Sequence, residues 1–385
     1  MARTCRRCGT GAGLLEATSV SQAIDVLVLN SGSSSLKLGL YRVNVARTVT
    51  LLAETLPATA PQDVARHIAR LLKQTKISAP AAIGHRIVHG GPRLRSHGLI
   101  DAAMLDQLDA AAAFAPLHMP TALALIRLAQ AQFPGSPQVA CLDTCFHAEM
   151  PAVARVLPID RALQSDGLQR YGFHGLSLES IVRQLGPALP QRLVVAHLGH
   201  GASITALMNG HSMDTSMGLT PTGGVIMGTR SGDLDPGLLL YLLGEKQFNG
   251  AQLRTLVDQQ SGLLGISGIS SDMRVLHEAA LTNPDARLAI EMFCYSVRKQ
   301  IAAMIAALDG LDLLVFTGGI GENDAQVRAS ICAGLGWIGV SLDADRNRSG
   351  SNPINDSASR CSVQVLAAQE DEQIARHTWT WAGQS

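Results

Sequence analysis

A β-turn-β pattern occurs twice in this 385-residue chain, roughly half a chain apart, and it restricts the fold more than any other signal. The first copy joins VLVLN (26–30) to LKLGLY (36–41) through the polar turn SGSSS. The second runs through LVVAHLGHGASITALMNG (193–210), with LGHGAS as its turn. Two apolar runs around a Gly/Ser turn predict a β-hairpin, and the recurrence indicates a duplicated unit. Because one ordinary domain has ~100–200 residues, two lobes are expected.

Alternating strand and helix patterns between the hairpins predict an α/β fold with a mixed sheet in each half. A strand-turn-helix signal at 311–323 precedes helical periodicity over 324–335. Apolar residues at three- and four-residue steps predict further helices over 60–74, 101–114 and 285–308. We interpret the Met, Phe and Tyr stripe on the last of these as core or subunit interface rather than a cofactor site. The repeat places the lobe boundary near residues 147–160.

Composition narrows the classes of function. Lys plus Arg and Asp plus Glu each total 31, so the formal net charge is +0. Nucleic-acid and anionic-membrane binders depend on clustered positive charge, so neither partner is expected. The longest apolar runs, such as GLLLYLLG at 237–244, fall short of the ~20 residues of a membrane span. Seven scattered cysteines favour a reducing cytoplasm over a secreted disulfide framework.

Residues 1–23 read as a prefix to the first strand. Cys5 and Cys8 form a C-x-x-C, but no second pair completes a four-thiolate zinc site. The segment is basic and lacks the apolar stretch of about 7–15 residues that a secretory signal needs. We therefore expect a disordered extension or an over-long start-site assignment rather than a targeting segment.

Two Gly-rich segments suit phosphate chemistry. The turn NSGSSSLK (30–37) offers small hydroxyl groups, backbone N–H groups and a Lys, which can cradle phosphate oxygens; a plain polar turn is the alternative. The loop MGTRSGDLDPG (227–237), preceded by DTSMGLTPTGG (214–224), holds one Arg among turn residues. Such an Arg can stabilise a transferring phosphoryl group; an internal Arg–Asp pair that orders the loop is the alternative.

Further segments mix His or Asp with apolar residues. GHRIVHGG (84–91) has two His at an i,i+4 spacing but lacks the glutamate of H-E-x-x-H. It is predicted as a strand with Arg86 and Val88 on one face and His85 and His89 on the other. The mixtures in LDTCFH (142–147), YGFHG (171–175) and APLHMP (115–120) suit a small, half-apolar ligand. Singly, each His is as readily a core residue.

Three enzyme signatures are dismissed. Residues 334–339 match the letters of G-x-G-x-x-G, but this segment comes after a predicted helix. The dinucleotide-binding motif instead comes after a strand and lies at the start of a helix. The chain contains no G-x-x-x-x-G-K-[ST], which excludes a P-loop NTPase, and no G-x-S-x-G of an α/β-hydrolase.

Eight ordered motifs resemble those of the acetate kinase family of short-chain acyl kinases. They are NSGSSSLKLGLY, GHRIVHGG, DTCFH, RYGFHG, HLGHGAS, DTSMGLTPTGGVIMGTRSGDLDP, GLLGISGISSDMR and VFTGGIGEN, within roughly residues 26–376. The resemblance implies the superfamily of acetate and sugar kinases, heat-shock protein 70 and actin. Its fold has two duplicated actin-like (ribonuclease H-like) lobes, with mixed sheets flanked by helices and a cleft between them. The implied lobes are 24–147 with the C-terminal helix 372–385, and the nucleotide-binding lobe 148–371.

The resemblance also implies reversible transfer of the ATP γ-phosphoryl group to acetate, giving acetyl phosphate and ADP. Mg²⁺ is the implied ion, with Mn²⁺ as its alternative, and a cytoplasmic homodimer is the implied assembly. A carboxylate with a pKa around 4–5 is already ionised at neutral pH, so no general base is required. Holding two anions in line and neutralising the transition state requires Arg, His, Mg²⁺ and backbone N–H groups.

The resemblance assigns roles to individual residues. The implied catalytic residues are Arg86, Asp143, His174 and Arg230. The implied acyl-binding residues are Arg86, Val88, Leu117, Phe173 and Pro221. The implied nucleotide-binding residues are Lys37, His197, Gly199, His200, Gly201, Asp272, Met273, Arg274, Gly319, Ile320, Gly321 and Asn323. The implied phosphate path comprises Asn30, Ser33, Ser35 and His118, and the implied metal ligands are Asn30 and Glu370.

Two positions depart from the family pattern, and two rival functions remain. His200 stands where the family usually has Asn, which predicts a pH-sensitive affinity for ATP, and Met119 replaces the Asn of P-L-H-N-P.

A propionate or butyrate kinase is the near rival, because one methylene is worth only ~1–3 kcal/mol in an apolar pocket. A nucleotide-dependent binding module of the same superfamily is the more distant one, and the two candidate phosphoryl-clamping arginines count against it.

Overall fold

Two mixed β-sheets with the same strand order form the framework of this protein. The structure, a computed structural model, describes residues 23–32, 35–57 and 61–383. The predicted extension, all but its last residue, and Ser33 lie outside the described residues. Within those ranges the strands are β1 (Ile24–Ser31), β2 (Ser35–Val43), β3 (Thr48–Pro57), β4 (Ala82–Ile87), β5 (Gly98–Leu99), β6 (Gln138–Leu142), β7 (Arg192–Leu198), β8 (Ala202–Met208), β9 (His211–Thr215), β10 (Leu313–Thr317) and β11 (Ser362–Val365).

Helices connect and flank the strands. Over the same ranges they are α1 (Pro61–Thr75), α2 (Ala102–Ala111), α3 (Met119–Gln132), α4 (Ala152–Arg155), α5 (Arg161–Gln164), α6 (Gly175–Leu185), α7 (Pro236–Gly244), α8 (Gly250–Gln259), α9 (Gly262–Ser267), α10 (Met273–Ala279), α11 (Pro284–Ala307), α12 (Gly318–Asn323), α13 (Ala325–Ala333), α14 (Ala344–Ser349) and α15 (Glu370–Ala382). None of these helices is both long and apolar enough to cross a lipid bilayer.

The duplication predicted from the two hairpins is confirmed by the sheet topology. The first sheet has the order β3-β2-β1-β4-β6-β5 and the second β9-β8-β7-β10-β11. In each, an antiparallel three-strand meander is followed by two strands parallel to its first strand. Each meander also has a register irregularity between its second and third strands. The first sheet adds only the short edge strand β5 to this shared plan.

The predicted helices are confirmed with small shifts at their ends. The Asp101 side chain accepts the N–H of Met104 at 2.7 Å and so begins α2, which ends at Ala111 and continues as a short 3₁₀ turn. Asn283 caps α11 and Pro284 occupies its first turn, where a missing N–H has no consequence. Of the Met, Phe and Tyr stripe on α11, Phe293 is buried in the core, whereas Met292 and Tyr295 are 38% and 58% exposed.

The last helix returns to the first sheet. Ile374 and Ala375 of α15 are fully buried in one cluster with Val26 and Val28 of β1. Asn30 Nδ2 at the end of β1 donates to Glu370 Oε2 at 3.3 Å and to Asp371 Oδ1 at 2.5 Å. The helix therefore covers the first sheet and places its N-terminal carboxylates beside the carboxyl end of β1.

Candidate active site

The parallel strands of both sheets end at one cavity of about 360 Å³. Ligands of open α/β sheets bind outside the carboxyl ends of such strands. From the first sheet side the lining includes Lys37, Arg86 and Asp143; from the second it includes His197, Gly201 and Gly319. The remaining lining residues are Gly32, Val88, His118, Phe173, His174, Gly199, His200, Pro221, Arg230, Gly318, Glu322, Ala368 and Glu370.

Arg86 forms a buried ion pair at this cavity. Its Nε and Nη2 donate to Asp143 Oδ2 at 3.0 and 2.6 Å, and its Nη1 donates to Asn30 Oδ1 at 3.4 Å. Burial opposes the charge, but Asp143 and Glu370 outweigh this effect and raise the pKa of Arg86. Arg86 is therefore a permanently charged group held in one orientation by the end of β6.

Arg230 is a buried cation without a carboxylate partner. It is 8% exposed, and its Nη1 donates to the carbonyl of Pro221 at 2.9 Å. It forms no ion pair within the described part of the chain; in the same loop, Asp233 and Asp235 accept backbone N–H groups instead. Burial lowers the pKa of Arg230 to about 10, since the charge of Asp258 opposes this effect only in part and the charge of Arg86 adds to it. The alternative interpretation, an Arg–Asp pair that orders the loop, is wrong for this residue.

Two histidine rings stack at the floor of the cavity. The centroids of His174 and His197 are 4.1 Å apart with an interplanar angle of 19°. His174 has φ of 60°, a left-handed conformation that disfavours side chains and that clusters at functional sites. Burial lowers the pKa of His197 to about 4, and burial together with His197 and Arg86 lowers the pKa of His174 well below its usual value. Both rings are therefore neutral near pH 7.

The carboxylates fit a hard divalent cation. Asp143 Oδ1 is buried and has no hydrogen-bond partner among the described residues. Glu370 is 7% exposed and lines the same cavity. The charges of Arg86 and Lys37 and the hydrogen bond from Asn30 help to overcome the effect of burial and lower the pKa of Glu370, which keeps it ionised. An orphaned carboxylate oxygen beside a second buried carboxylate matches the oxygen ligands that Mg²⁺ prefers. Asn30, which was predicted as a metal ligand, does not line the cavity, and its amide is bonded to Arg86, Glu370 and Asp371. Asp143 is therefore the better candidate for the second ligand.

A larger cavity of about 1820 Å³ adjoins the first. Gly199, His200 and Gly319 line both, so the two spaces communicate. Of the predicted nucleotide-binding residues, Asp272, Met273, Arg274, Ile320 and Asn323 line the larger cavity. Gly318 has φ of 78°, and a Cβ there would lie 2.8 Å from the carbonyl oxygen of Leu198, so the loop between the cavities requires glycine.

His200 lies at the junction of the two cavities. Burial and the charge of Arg230 lower its pKa, while Asp272 acts in the opposite direction. A Cβ on Gly228 would lie 2.8 Å from its Nδ1, so the ring packs against backbone on one side. The pH-sensitive nucleotide affinity predicted for His200 stays a prediction.

A few predicted site residues lie away from the cavities. Val88, Phe173 and Pro221 line the smaller cavity, but Leu117 does not and is 43% exposed. Gly321 is buried beneath the loop. Among the described residues of its turn, Ser35 contributes its carbonyl, which accepts the N–H of Gly32 at 2.8 Å.

Glu322 is a residue of the smaller cavity that the sequence interpretation missed. Its Oε1 accepts the N–H groups of Gly318 and Ala368, both at 2.9 Å. It therefore ties the loop after β10 to the segment that leads into Glu370. Its position between Gly321 and Asn323 in VFTGGIGEN was the available signal.

A second group of potential metal ligands, His97, Glu179 and His377, lies outside the cavity. The N–H of Leu142 donates to His97 Nδ1 at 3.0 Å, so the hydrogen of the neutral ring is on Nε2, which meets Glu179 Oε1 at 3.2 Å. A ring in this state offers no lone pair to a metal, and the group is a hydrogen-bonded cluster instead.

Comparison with known proteins identifies similar sequences over nearly the whole chain. The profile of the acetokinase family matches residues 53–376. An acetate kinase from Thermosynechococcus vestitus is 42% identical over 92% of this chain and 97% of that protein. An acetate kinase from Rhodopseudomonas palustris is 39% identical over 93% of this chain and 98% of that protein.

Solved structures show the same likeness in three dimensions. A propionate kinase from Francisella tularensis matches with a TM-score of 0.84 and 37% identity, over 93% of this chain and 99% of that one. An acetate kinase from Porphyromonas gingivalis matches with a TM-score of 0.80 and 33% identity, with the same coverage of both chains. These matches confirm the expected two-lobed, actin-like fold.

Proposed function

This chain belongs to the acetokinase family, and we propose that it is an acetate kinase that transfers the γ-phosphoryl group of ATP reversibly to acetate. The observation that carries the proposal is the meeting of Arg86 and Arg230, from opposite halves of the molecule, in one cavity. That cavity opens through Gly199, His200 and Gly319 into a second one large enough for a nucleotide. Two cations thus lie where two anionic substrates have to approach each other.

Acetate is proposed to bind in the smaller cavity. Val88, Phe173 and Pro221 provide an apolar surface for the methyl group, and Arg86 provides the charge that holds the carboxylate. The carboxylate attacks as an ionised nucleophile, so no side chain has to remove a proton. Orientation of the two reactants then supplies much of the rate enhancement.

Arg230 and His174 are proposed to stabilise the transferring phosphoryl group. Arg230 forms no ion pair with a carboxylate among the described residues, and the opposing charge of Asp258 does not prevent the lowering of its pKa, so its charge is available to an anion. An Arg in this position contributes ~10³–10⁵ in rate to phosphoryl transfer. Neutral His174 directs Nε2 towards the glycine turn at Gly201, where a Cβ would lie 3.4 Å from this nitrogen. Lys37 and His118 line the same path.

Asp143 and Glu370 are the residues that would hold Mg²⁺, or Mn²⁺ in its place, with Asn30 orienting Glu370. When bound, the ion neutralises part of the charge on the phosphates. The nucleotide is proposed to occupy the larger cavity, between the start of α10 (Asp272, Met273, Arg274) and the start of α12 (Gly319, Ile320, Asn323).

We also propose a homodimer in the cytoplasm. Support for a second copy comes from α7, where Leu238, Leu240, Tyr241 and Leu243 are 41–69% exposed and no residue is buried. An apolar helix whose residues all remain at least partly exposed among the described residues favours a protein–protein contact. Five cysteines of the described residues are free thiols, which fits a reducing compartment.

An acyl hydroxamate assay tests the activity. The protein is incubated with Mg-ATP, hydroxylamine and acetate, propionate or butyrate in parallel, and acyl phosphate is trapped as hydroxamate. We expect the highest kcat/KM with acetate. The likeness to a propionate kinase makes that enzyme the second candidate, and a higher kcat/KM with propionate would establish it. ATP binding without hydroxamate from any acid would refute the kinase and favour the binding module.

A further inference from the structure

Four buried side chains beneath the cavity form a closed frame, here called the His–Ser frame: His174, Ser177, His197 and Ser203. His174 Nδ1 lies 2.9 Å from Ser203 Oγ, and His197 Nδ1 lies 2.9 Å from Ser177 Oγ. Ser203 is the cross-strand partner of His197 in the β7–β8 ladder, and Ser177 lies one helical turn after His174 on α6. Each bond therefore crosses from the start of α6 to the hairpin, and none of the four residues exceeds 8% exposure.

The frame leaves both Nε2 atoms on the side of the glycine turn. A Cβ on Gly201 would lie 3.4 Å from His174 Nε2, and one on Gly199 would lie 4.0 Å from His197 Nε2. Two stacked rings at 4.1 Å, close to Arg86, cannot both carry a positive charge at low cost. A neutral imidazole has a single N–H, so the nitrogen that carries this hydrogen decides whether the ring attracts or repels an anion.

We propose that Ser203 is a positioning residue whose hydroxyl donates to His174 Nδ1 and so keeps the imidazole hydrogen on Nε2, facing the phosphoryl oxygens. Ser177 does the same for His197. The inference rests on the proposed function, because the phosphoryl group is what the Nε2–H would bind. With the hydrogen on Nδ1 instead, a lone pair would face the anionic oxygens, and a hydrogen bond would be replaced by repulsion.

Two observations support this direction of the Ser203 bond. In the described part of the chain, the Ser203 hydroxyl has no hydrogen-bond partner other than His174 Nδ1, so its hydrogen is free to turn towards the ring. A third histidine shows the same arrangement with its tautomer determined: His147 Nε2 lies 3.0 Å from the carbonyl of Phe173, which only accepts, and His147 Nδ1 lies 2.8 Å from Ser212 Oγ. Because Nε2 of that ring must donate, Ser212 must donate to its Nδ1.

Mutation of Ser203 tests the role through the reaction. Ser203→Ala should lower kcat about 10- to 100-fold, as loss of an outer partner of a functional histidine does, while KM for ATP and acetate changes less than about 2-fold. Ser203→Thr keeps the hydroxyl and should restore most of kcat. Ser212→Ala is the matched control, since it removes the same kind of bond from His147, which does not line the cavity; it should leave kcat unchanged. An unchanged kcat in Ser203→Ala would overturn the proposal.

A double mutant separates positioning from general structural damage. In His174→Gln the side-chain amide provides a donor that has no tautomer. Adding Ser203→Ala to that variant should therefore cause no further loss of kcat, because residues that act as a unit are not additive. Independent, multiplying losses would show that Ser203 acts through something other than His174.

A spectroscopic readout separates this proposal from the proposed function. In the full chain labelled with ¹⁵N-histidine, NMR should show His174 with its hydrogen on Nε2 and Ser203→Ala with a shifted tautomer balance. An Nδ1–H form in the unmodified chain would overturn the inference even if acetyl phosphate is formed. If the hydrogen were on Nε2 and this depended on Ser203, but the chain formed no acyl phosphate, the hydrogen-bond assignment would stand and the proposed kinase activity would be refuted.

Discussion

Replacing Arg230 by methionine is expected to make the protein more stable and nearly inactive. Arg230 is 8% exposed, and among the described residues the one oxygen to which its guanidinium donates is the carbonyl of Pro221. A buried charge without a counter-ion opposes folding, and methionine is a flexible apolar side chain of similar reach. Arg86→Met is the matched contrast, because it removes a charge of the same cavity that does have a carboxylate partner, Asp143.

The structure gives the sign and the size of both effects. Burial lowers the pKa of Arg230 from 12.5 to about 10, which corresponds to about 3 kcal/mol against the charged form at neutral pH. Because the folded-state pKa lies below the unfolded value, this penalty is present throughout the physiological range and disappears only in strong alkali. Losing the bond to Pro221 offsets about 1 kcal/mol, so a net gain of about 1–2 kcal/mol is expected. Arg86→Met instead leaves Asp143 buried and unpaired, which costs about 3–5 kcal/mol.

Urea unfolding and the hydroxamate assay measure the two consequences. For Arg230→Met we expect a higher unfolding midpoint together with a kcat reduced about 10³- to 10⁵-fold. Arg86→Met should show a lower midpoint and a similar loss of activity. If Arg230→Met lost as much stability as Arg86→Met, its charge would have to be compensated within the fold. A retained kcat would refute its role in stabilising the phosphoryl group.

Three further predictions concern the metal, the glycine turn and acid stability. Glu370→Gln should raise the Mg²⁺ concentration needed for half-maximal rate about 10-fold or more, whereas Glu372→Gln should not. If both variants needed the same Mg²⁺ concentration for half-maximal rate, the metal assignment would be contradicted. Gly201→Ala places a Cβ 3.3 Å from Nη1 of Arg230 and 3.4 Å from Nε2 of His174, so it should lower kcat in the hydroxamate assay. Gly218→Ala is the control, because a Cβ at that position has no atom within 4 Å. Burial lowers the pKa of several imidazoles to about 3–4. Below pH 6.5 the unfolded state therefore binds protons that the folded state does not, and the melting temperature should fall steadily from pH 6.5 to pH 4. A melting temperature that does not change with pH over this range would contradict neutral histidines in the fold. These imidazoles are His85, His89, His118, His147 and His197.

The parts of the fold that sequence predicts well are those with a local physical cause. The hairpins at β1–β2 and β7–β8 follow from apolar runs around Gly/Ser turns, and the ends of α2 and α11 follow from Asp101 and Asn283 as caps. Arg86 near the end of β4 and Asp143 directly after β6 meet because these parallel strands end at the same edge of the sheet, whereas Arg230 reaches the cleft from the loop between β9 and α7. Residues that directly follow such strands were therefore predictable.

The predicted residue that lies outside the cavity and the residues that the sequence did not indicate could not be placed from a local pattern. Leu117 lies in the turn before α3, where no helical or strand period sets the side-chain direction, and it projects towards solvent. Glu322 looks like an ordinary helical acid until the fold brings Ala368 within hydrogen-bond distance of it. The bond between His174 and Ser203 depends on where α6 docks on the hairpin, which no local pattern encodes.

The return of α15 to the first sheet has a consequence for biosynthesis. The apolar cluster that includes Val26 and Val28 is completed by Ile374 and Ala375, so part of one face of β1 stays uncovered until translation has passed residue 375. A nascent chain that stalls before Glu370 would lack both this cover and a carboxylate of the cavity. Synthesis thus keeps the enzyme inert until its late segment has docked, and premature termination products are expected to be substrates for chaperones and proteases rather than partial catalysts.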